Sequence, residues 1–450
     1  MRLDTSFAPQ PWLAESLTAN DDKAWTLTLR DGATFQDGTP VTAEAVKASL
    51  DRAVERIVTA KGLFTGVTVA VKDERTLTFT TATLVPSLPG ILTEPSFTIV
   101  NAAAAQAQGD AFAQKPVLTG PFMVESFEAN RQAILVRNIH YWSTTPKAER
   151  VEITALSDAN ARMLGLQSGE ADIAIDIRPE SVDVIQGDAN LKVVPAQPVA
   201  TMFMYINQKK PVWQDLRVRQ ALAYALPPRD VLLKTVLRGQ GVAGVGPIPP
   251  AVLSCDNLKP LPNDLEKAKA LLAETGYTDT NDDGYVDKDG QTLSMLVISY
   301  PQRPALTPMA EIIQANLKDI GIQMTIESTE QINDRLTKDD WAGAMYFNNM
   351  GSTGDPYGSL SNFYTEKGSS NRGGYKNAAV EAQIAELGPV QDRADRLQRA
   401  CQISQALLDD VAILPLVYPN YSYGVSKKVT GFDQAHPYFL YFLNGDMGIS

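Results

Sequence analysis

Trp25-Thr26-Leu27-Thr28-Leu29-Arg30 alternates apolar and polar positions with a period of two, which predicts a half-buried strand. The turn dipeptides Asp31-Gly32 and Asp37-Gly38 follow, bracketing a short strand around Phe35. The period then changes to that of a helix, with Val46, Leu50, Ala53, Val54 and Ile57 on one face. Thr42 is placed as its N-cap, and Glu44 sits in the first turn, where a carboxylate favours the helix dipole. Val67 to Val71 and Leu77 to Thr81 predict a hairpin around Asp73-Glu74-Arg75. Together these segments predict a compact α+β unit.

From about Pro116 the pattern turns to alternating strands and helices, the mark of an α/β core. Strands are expected at Phe122, at Ala133 to Val136, at Val151 to Ile153 and at Ala171 to Ile175, with a helix at Ala159 to Gln167. A third unit opens near Asn207. Its expected helices are Arg217 to Ala225, Leu265 to Glu274 with Gly276 just past the end, and Pro308 to Ile320 with Gly321 following. Met309, Ile312, Ile313, Leu317 and Ile320 form one apolar face of the last. A strand at Ile322 to Ile326, a long helix at Ala394 to Leu408, and strands at Leu414 to Val417 and Tyr421 to Val425 complete the pattern. No internal repeat is present.

Composition narrows the function. At 450 residues the chain has room for two or three domains. Nothing approaches the roughly 18 consecutive apolar residues of a membrane helix. A net charge of −12 argues against nucleic acid, whose phosphates need a basic face. Met1-Arg2-Leu3-Asp4 leads straight into folded-looking sequence, so no secretory leader is expected within these 450 residues. Cys255 and Cys401 lie far apart; one disulfide between them is possible in principle, but two free thiols are the expectation. His140 and His436 are the only imidazoles, so a metal cage of protein N and S ligands is hard to build and no metal site is assigned. Asp279-x-Asn281-x-Asp283-Gly284 opens like a calcium loop, but Gly290 stands where a bidentate Glu is wanted. The segment therefore reads as an Asp/Asn/Gly-rich hairpin turn. No Ser/His/Asp or Cys/His constellation stands out, and Gly239-Gln240-Gly241-Val242-Ala243-Gly244 is poorly spaced for a phosphate loop. The chain reads as a non-enzyme without a cofactor. Met202-Phe203-Met204-Tyr205 and Met345-Tyr346-Phe347-Asn348-Asn349-Met350 are aromatic and Met groupings that, taken alone, read as core.

The order of motifs resembles the peptide/nickel-binding family of extracytoplasmic solute-binding proteins of ABC importers, family 5. The resemblance runs through Trp12-Leu13-Ala14-Glu15-Ser16 and Leu29-Arg30-Asp31-Gly32-Ala33-Thr34-Phe35-Gln36-Asp37-Gly38-Thr39-Pro40. It continues through Thr119-Gly120-Pro121-Phe122, Arg137-Asn138-Ile139-His140-Tyr141-Trp142 and Gln167-Ser168-Gly169-Glu170-Ala171-Asp172. It extends to Val218-Arg219-Gln220-Ala221-Leu222-Ala223-Tyr224-Ala225 and Ala310-Glu311-Ile312-Ile313-Gln314-Ala315-Asn316-Leu317. The resemblance implies an α/β, bilobed periplasmic-binding-protein (Venus flytrap) fold of type II, with an extra α+β domain on lobe one. Residues 1–10, 116–205 and 419–450 would form the lobe-one core, 11–115 the extra domain and 206–418 lobe two. Crossings between lobes are expected near Tyr205-Ile206-Asn207 and Pro415-Leu416-Val417-Tyr418. Family members normally begin with a signal and the first strand of lobe one, so a missing N-terminal segment is expected. The resemblance also implies a periplasmic or extracytoplasmic, membrane-attached monomer that delivers its ligand to an ABC permease.

Two ligand classes stay open, a small oligopeptide and a nickel or other metal chelate. Peptide-binding members tend to carry an Asp three positions before an acidic-Pro pair; here the pair is Asp355-Pro356 and Ser352 stands in the Asp position. Nickel-binding members resemble the chain around Met350 to Pro356, but often have Trp where Met350 stands and Arg where Thr98 stands. The expected cleft residues are Tyr205, Asn348, Asn349, Met350, Ser352, Tyr418 and Tyr421, with Thr98 and Lys61 from the first lobe. Closure of the lobes on a ligand touching both is the expected mechanism. A hydrolase using paired carboxylates and a non-transport receptor are the alternatives.

Overall fold

The computed structural model describes residues 1–450 except 22, 83–84, 351–352 and 437–442. Compactness divides the chain into two units, Met1–Gln197 with Tyr421–Ser450, and Pro198–Asn420. The segments expected at the crossings, Tyr205-Ile206-Asn207 and Pro415 to Tyr418, thus belong to the second unit, and all but Asn207 lie inside its strands.

In the first unit, a four-stranded antiparallel sheet runs in the order Ala14–Asp21, Ala24–Leu29, Thr76–Thr80, Thr68–Asp73. The helix Ala43–Arg56 packs on it through Val46, Leu50 and Ala53, against Leu27, Leu29, Leu77 and Phe79. Thr42 caps that helix by accepting from the Ala45 N–H at 3.2 Å. Ile57, expected on the apolar face, is instead the residue that ends the helix and is exposed. The strand expected around Phe35 is reduced to a single bridge, Thr34 with Pro40, although Phe35 itself is buried. A three-stranded antiparallel sheet follows, with Gln132–Arg137 between Phe122–Glu128 and Arg150–Thr154. In another, the chain's late strand Tyr421–Ser426 lies between Ile173–Ile175 and Leu191–Ala196.

The second unit is built on a six-stranded sheet. Its order is Gly241–Ala243, Ile413–Pro419, Ala200–Ile206, Gly343–Asn349, Ser294–Ser299, Gln323–Ser328. Ser294–Ser299 runs parallel to both its neighbours, and the other pairings are antiparallel. The helix Leu306–Asp319 buries Leu306, Met309, Ala310, Ile313 and Leu317, and connects Ser294–Ser299 to Gln323–Ser328 as a βαβ crossover. Gly321 ends that helix with φ +78, where a Cβ would also collide with Val286 Cγ1 at 2.8 Å.

The expectation of two free thiols is overturned. Cys255 and Cys401 form a disulfide, with Cα atoms 5.7 Å apart and a sequence separation of 146. The irregular segment after Gly241–Ala243 lies along the helix Arg393–Asp409, which brings the two thiols together. Gln405, one helical turn beyond Cys401, holds the same segment: its amide accepts from the Lys259 N–H at 2.8 Å and donates to the Lys259 carbonyl at 3.4 Å. The Asp279 to Gly284 loop closes on itself, since Asp279 accepts from the Gly284 N–H, Asn281 from Asp283 N–H and Asp283 from Tyr285 N–H.

Candidate functional site

Strand order fixes where a ligand would sit in the second unit. From Ser294–Ser299 the chain passes to Gln323–Ser328 on one side, then to Gly343–Asn349 on the other. The connections therefore diverge beside Ser294–Ser299 and Gly343–Asn349, and such switch points open a crevice at the carboxyl ends of the strands. The residues at those ends are Tyr300 and Tyr346-Phe347-Asn348-Asn349-Met350. The Tyr300 hydroxyl accepts from the Phe347 N–H at 3.2 Å and ties the two strand ends together.

Alternation along Gly343–Asn349 puts Tyr346 on the same sheet face as Phe203 and Tyr205 of the neighbouring strand. Tyr346 lies 5.3 Å from Tyr205 and 6.1 Å from Tyr300, ring centre to ring centre. Its hydroxyl donates to Asn333 Oδ1 at 2.9 Å. Phe347, on the opposite face, carries the Arg303 guanidinium over its ring at 4.0 Å. Burial raises Tyr205, and the neighbouring Tyr346 adds to the effect while Arg372 opposes it. Burial likewise raises Tyr346, against Arg372, and pushes Tyr300 up to about 12. These phenols are neutral donors and acceptors at neutral pH.

The polar capacity at the strand end is unspent. Asn348 and Asn349 are half-buried, and the Asn349 side-chain oxygen is fully out of solvent without a hydrogen-bond partner among the described residues. A buried carbonyl oxygen left unpaired costs about 1–3 kcal/mol, so a ligand donor placed there gains what water cannot supply. Met350 is wholly buried, its N–H bonded to the Val199 carbonyl at 3.1 Å. Beyond it, Asp355 caps the helix Pro356–Tyr364 and is gripped by Arg396 at 2.7 and 2.9 Å. Met350 and Asp355 are thus each held in place.

The other expected residues fall as follows. Tyr205 is buried and donates to the Ser370 carbonyl at 2.8 Å. Tyr418 is buried too, its hydroxyl accepting from the Gly246 N–H and donating to the Gly246 carbonyl, both at 2.7 Å. It holds the backbone at Gly246. Ser352 lies outside the described residues. Lys61, Thr98 and Tyr421 belong to the first unit. Phe64 and Phe97, 4.3 Å apart, bring the exposed Lys61 and Thr98 segments side by side there; Thr98 donates to the Pro95 carbonyl. Tyr421 pairs across the sheet with Ala196. The sequence reading did not single out Tyr300, Arg303 or Arg372. A cation between two prolines just past a buried strand, as in Pro301-Gln302-Arg303-Pro304, and one inside the Asn371-Arg372-Gly373-Gly374 turn, are the signals that mark them.

Residues 8–371 match the family of bacterial extracellular solute-binding proteins, family 5. The chain belongs to that family. It is 28% identical to the probable D,D-dipeptide-binding periplasmic protein DdpA of Escherichia coli K12, across 93% of this chain and 81% of that one. It is 26% identical to the nickel-binding protein NikA of Staphylococcus aureus, across 93% of this chain and 82% of that one. The crystal structure of the nickel ABC transporter from Bacillus halodurans superposes with a TM-score of 0.82 at 28% identity, covering 99% of this chain and 92% of that chain. This family 5 protein shares the type II periplasmic-binding-protein fold with these relatives and is a solute-binding protein. Its relatives are binding proteins, periplasmic or extracellular.

Proposed function

We propose that this family 5 protein is the receptor of an ABC importer, capturing a small peptide or a metal chelate and passing it unchanged to a membrane permease. The observation that carries this reading is the buried amide oxygen of Asn349, without a partner among the described residues, at the end of the strand Gly343–Asn349 that borders the switch point of the second unit's sheet. Both ligand classes are named among the relatives, a D,D-dipeptide for DdpA and nickel for NikA. Asn348, Asn349, Met350 and Ser352 would contact the solute, Tyr205 and Tyr418 would shape the wall, and Lys61, Thr98 and Tyr421 would contribute from lobe one. Lobe two would be the unit Pro198–Asn420, and residues 11–115 would be the extra α+β domain on lobe one; the receptor would work as a membrane-attached monomer outside the cytoplasm. A ligand that contacts both lobes favours the closed form by its differential affinity.

The test is native mass spectrometry of the purified protein, with released solute identified and metal measured in parallel. A di- to pentapeptide without metal places it among peptide receptors; nickel or a similar ion with an organic chelator places it among chelate receptors. At 100 times its Kd the identified solute stabilises the fold by about 2.7 kcal/mol, and Asn348→Ala weakens that binding. Absence of any solute-dependent stabilisation sinks the proposal.

A further inference from the structure

In the first unit, the helix Ala43–Arg56 ends in an apolar knob. Ile57, its C-cap, is 38% exposed, and Val58 just beyond is 89% exposed, the most of any large apolar side chain among the described residues. A lone exposed aliphatic is ordinary on a protein surface, but this one stands beside a pit. Leu50, Val54, Phe64, Val67 and Val69 line a hollow of about 240 Å³. One wall comes from the helix, and another from the edge strand Thr68–Asp73 and the residue before it. A cavity of about 150 Å³ admits a benzene ring, so a valine side chain fits. The short helix Val58–Leu63 starts at the knob and leads directly to Phe64 in the pit wall. At the rise of a helix, about 9 Å separates the two.

The charges are arranged in the same complementary way. Asp51 and Glu55 also line the pit, one helical turn apart, a spacing at which like charges weaken a helix. Asp51 is answered by Lys47 at 2.5 Å. Glu55 is exposed and makes no ion pair with a described residue, and the same holds for Arg56 beside the knob. Successive residues of a helix do not face each other, so Glu55 and Arg56 do not answer one another. An apolar knob with a cation and an apolar pit with an anion thus lie side by side. The acidic rim of the pit also opposes an anionic lipid surface as the occupant.

We infer that this surface is self-complementary and that two copies of the chain meet on it across a two-fold axis. Val58 of each copy enters the pit of the other, and Arg56 of each lies against Glu55 of the other, the reciprocal contact of an isologous pair. The contact is small, one knob and one ion pair each way, and therefore reversible. The single copy remains the form proposed to deliver solute. Solute capture does not depend on this contact and stands whichever way the test falls.

The test is sedimentation equilibrium of the full chain over a rising concentration series, at low and at high salt. A monomer–dimer equilibrium is expected, weaker at high salt because exposed ion pairs are screened. Val58→Asp, Glu55→Lys and Arg56→Glu should each raise the dissociation constant tenfold or more. Glu55→Lys combined with Arg56→Glu should bring it back near that of the parent, because each new cation again meets a new anion across the axis. A merely structural role for these residues would give no such rescue. Thermal midpoints should stay near the parent's, since all three positions are exposed. A chain that is monomeric at every concentration overturns the pairing, and capture of that monomer by phosphatidylglycerol vesicles would assign the knob to a membrane surface instead. A dimer that the single variants leave unchanged, or that the paired reversal fails to restore, overturns it as well.

Discussion

Asp355 and Arg396 meet at 2.7 and 2.9 Å in a buried, bidentate pair, and Arg396 spends its remaining donors on the carbonyls of Leu387, Gly388 and Val390. Replacing one partner leaves a buried charge alone, which costs about 3–5 kcal/mol. Arg396→Met is therefore expected to lower unfolding stability by that amount in a urea titration; an unchanged midpoint would show the pair to be dispensable. The Tyr418 hydroxyl serves both the N–H and the carbonyl of Gly246. Tyr418→Phe strands two buried backbone groups, and a loss of about 1–3 kcal/mol is expected by the same measurement. At this scale the sequence told position better than role. The Met202 to Tyr205 grouping read as core, and all four side chains are buried. Tyr418 was expected to face a ligand, and its hydroxyl is committed to the chain. A residue's type does not reveal which of its neighbours will claim its one hydroxyl.

Elements with a strong period were legible. The helices Ala43–Arg56, Leu265–Glu274 and Arg393–Asp409 lie within two residues of expectation at either end, because their apolar faces and end signals agree. The helices Pro356–Tyr364 and Ala378–Leu387 were not read. Pro356–Tyr364 is a short run of Gly, Ser and aromatic residues, weak helix formers, and tertiary packing of Leu360, Phe363 and Tyr364 supplies what propensity does not. The disulfide was misjudged for a related reason: spacing carries no information about which helix a distant loop will cross. Closing a loop of 146 residues is worth about 5 kcal/mol on the chain-entropy account, with about 2–5 kcal/mol the usual measured cost of its removal. Cys401→Ser, or incubation with dithiothreitol, should lower the unfolding midpoint accordingly; equal midpoints with and without reductant would rule out a structural bond.

For the molecule as a whole, the titration balance lies on the alkaline side. Burial pushes both Tyr300 and Tyr423 up to about 12, and raises Tyr205, Tyr364 and Tyr418 as well. An unfolded tyrosine ionises near pH 10. Below that value both states keep the proton; above it the unfolded state loses the proton first, so stability falls as pH rises from about 10 towards 12. Reversible urea titrations across that range should show a falling midpoint, and a flat profile would contradict the burial of these phenols. The order of strands was the part least open to reading, because register and neighbour choice depend on which faces find partners. One such choice governs the order of events during synthesis. The middle strand of a first-unit sheet, Tyr421–Ser426, leaves the ribosome after the whole of the second unit, while its neighbours Ile173–Ile175 and Leu191–Ala196 emerge long before. Those two edges wait, unpaired across the gap, until roughly the last fifteenth of the 450 residues begins at Tyr421. A chain halted just short of Tyr421 would hold Asn348, Asn349, Arg303 and Arg372 in a finished second unit beside a first unit that cannot close its sheet.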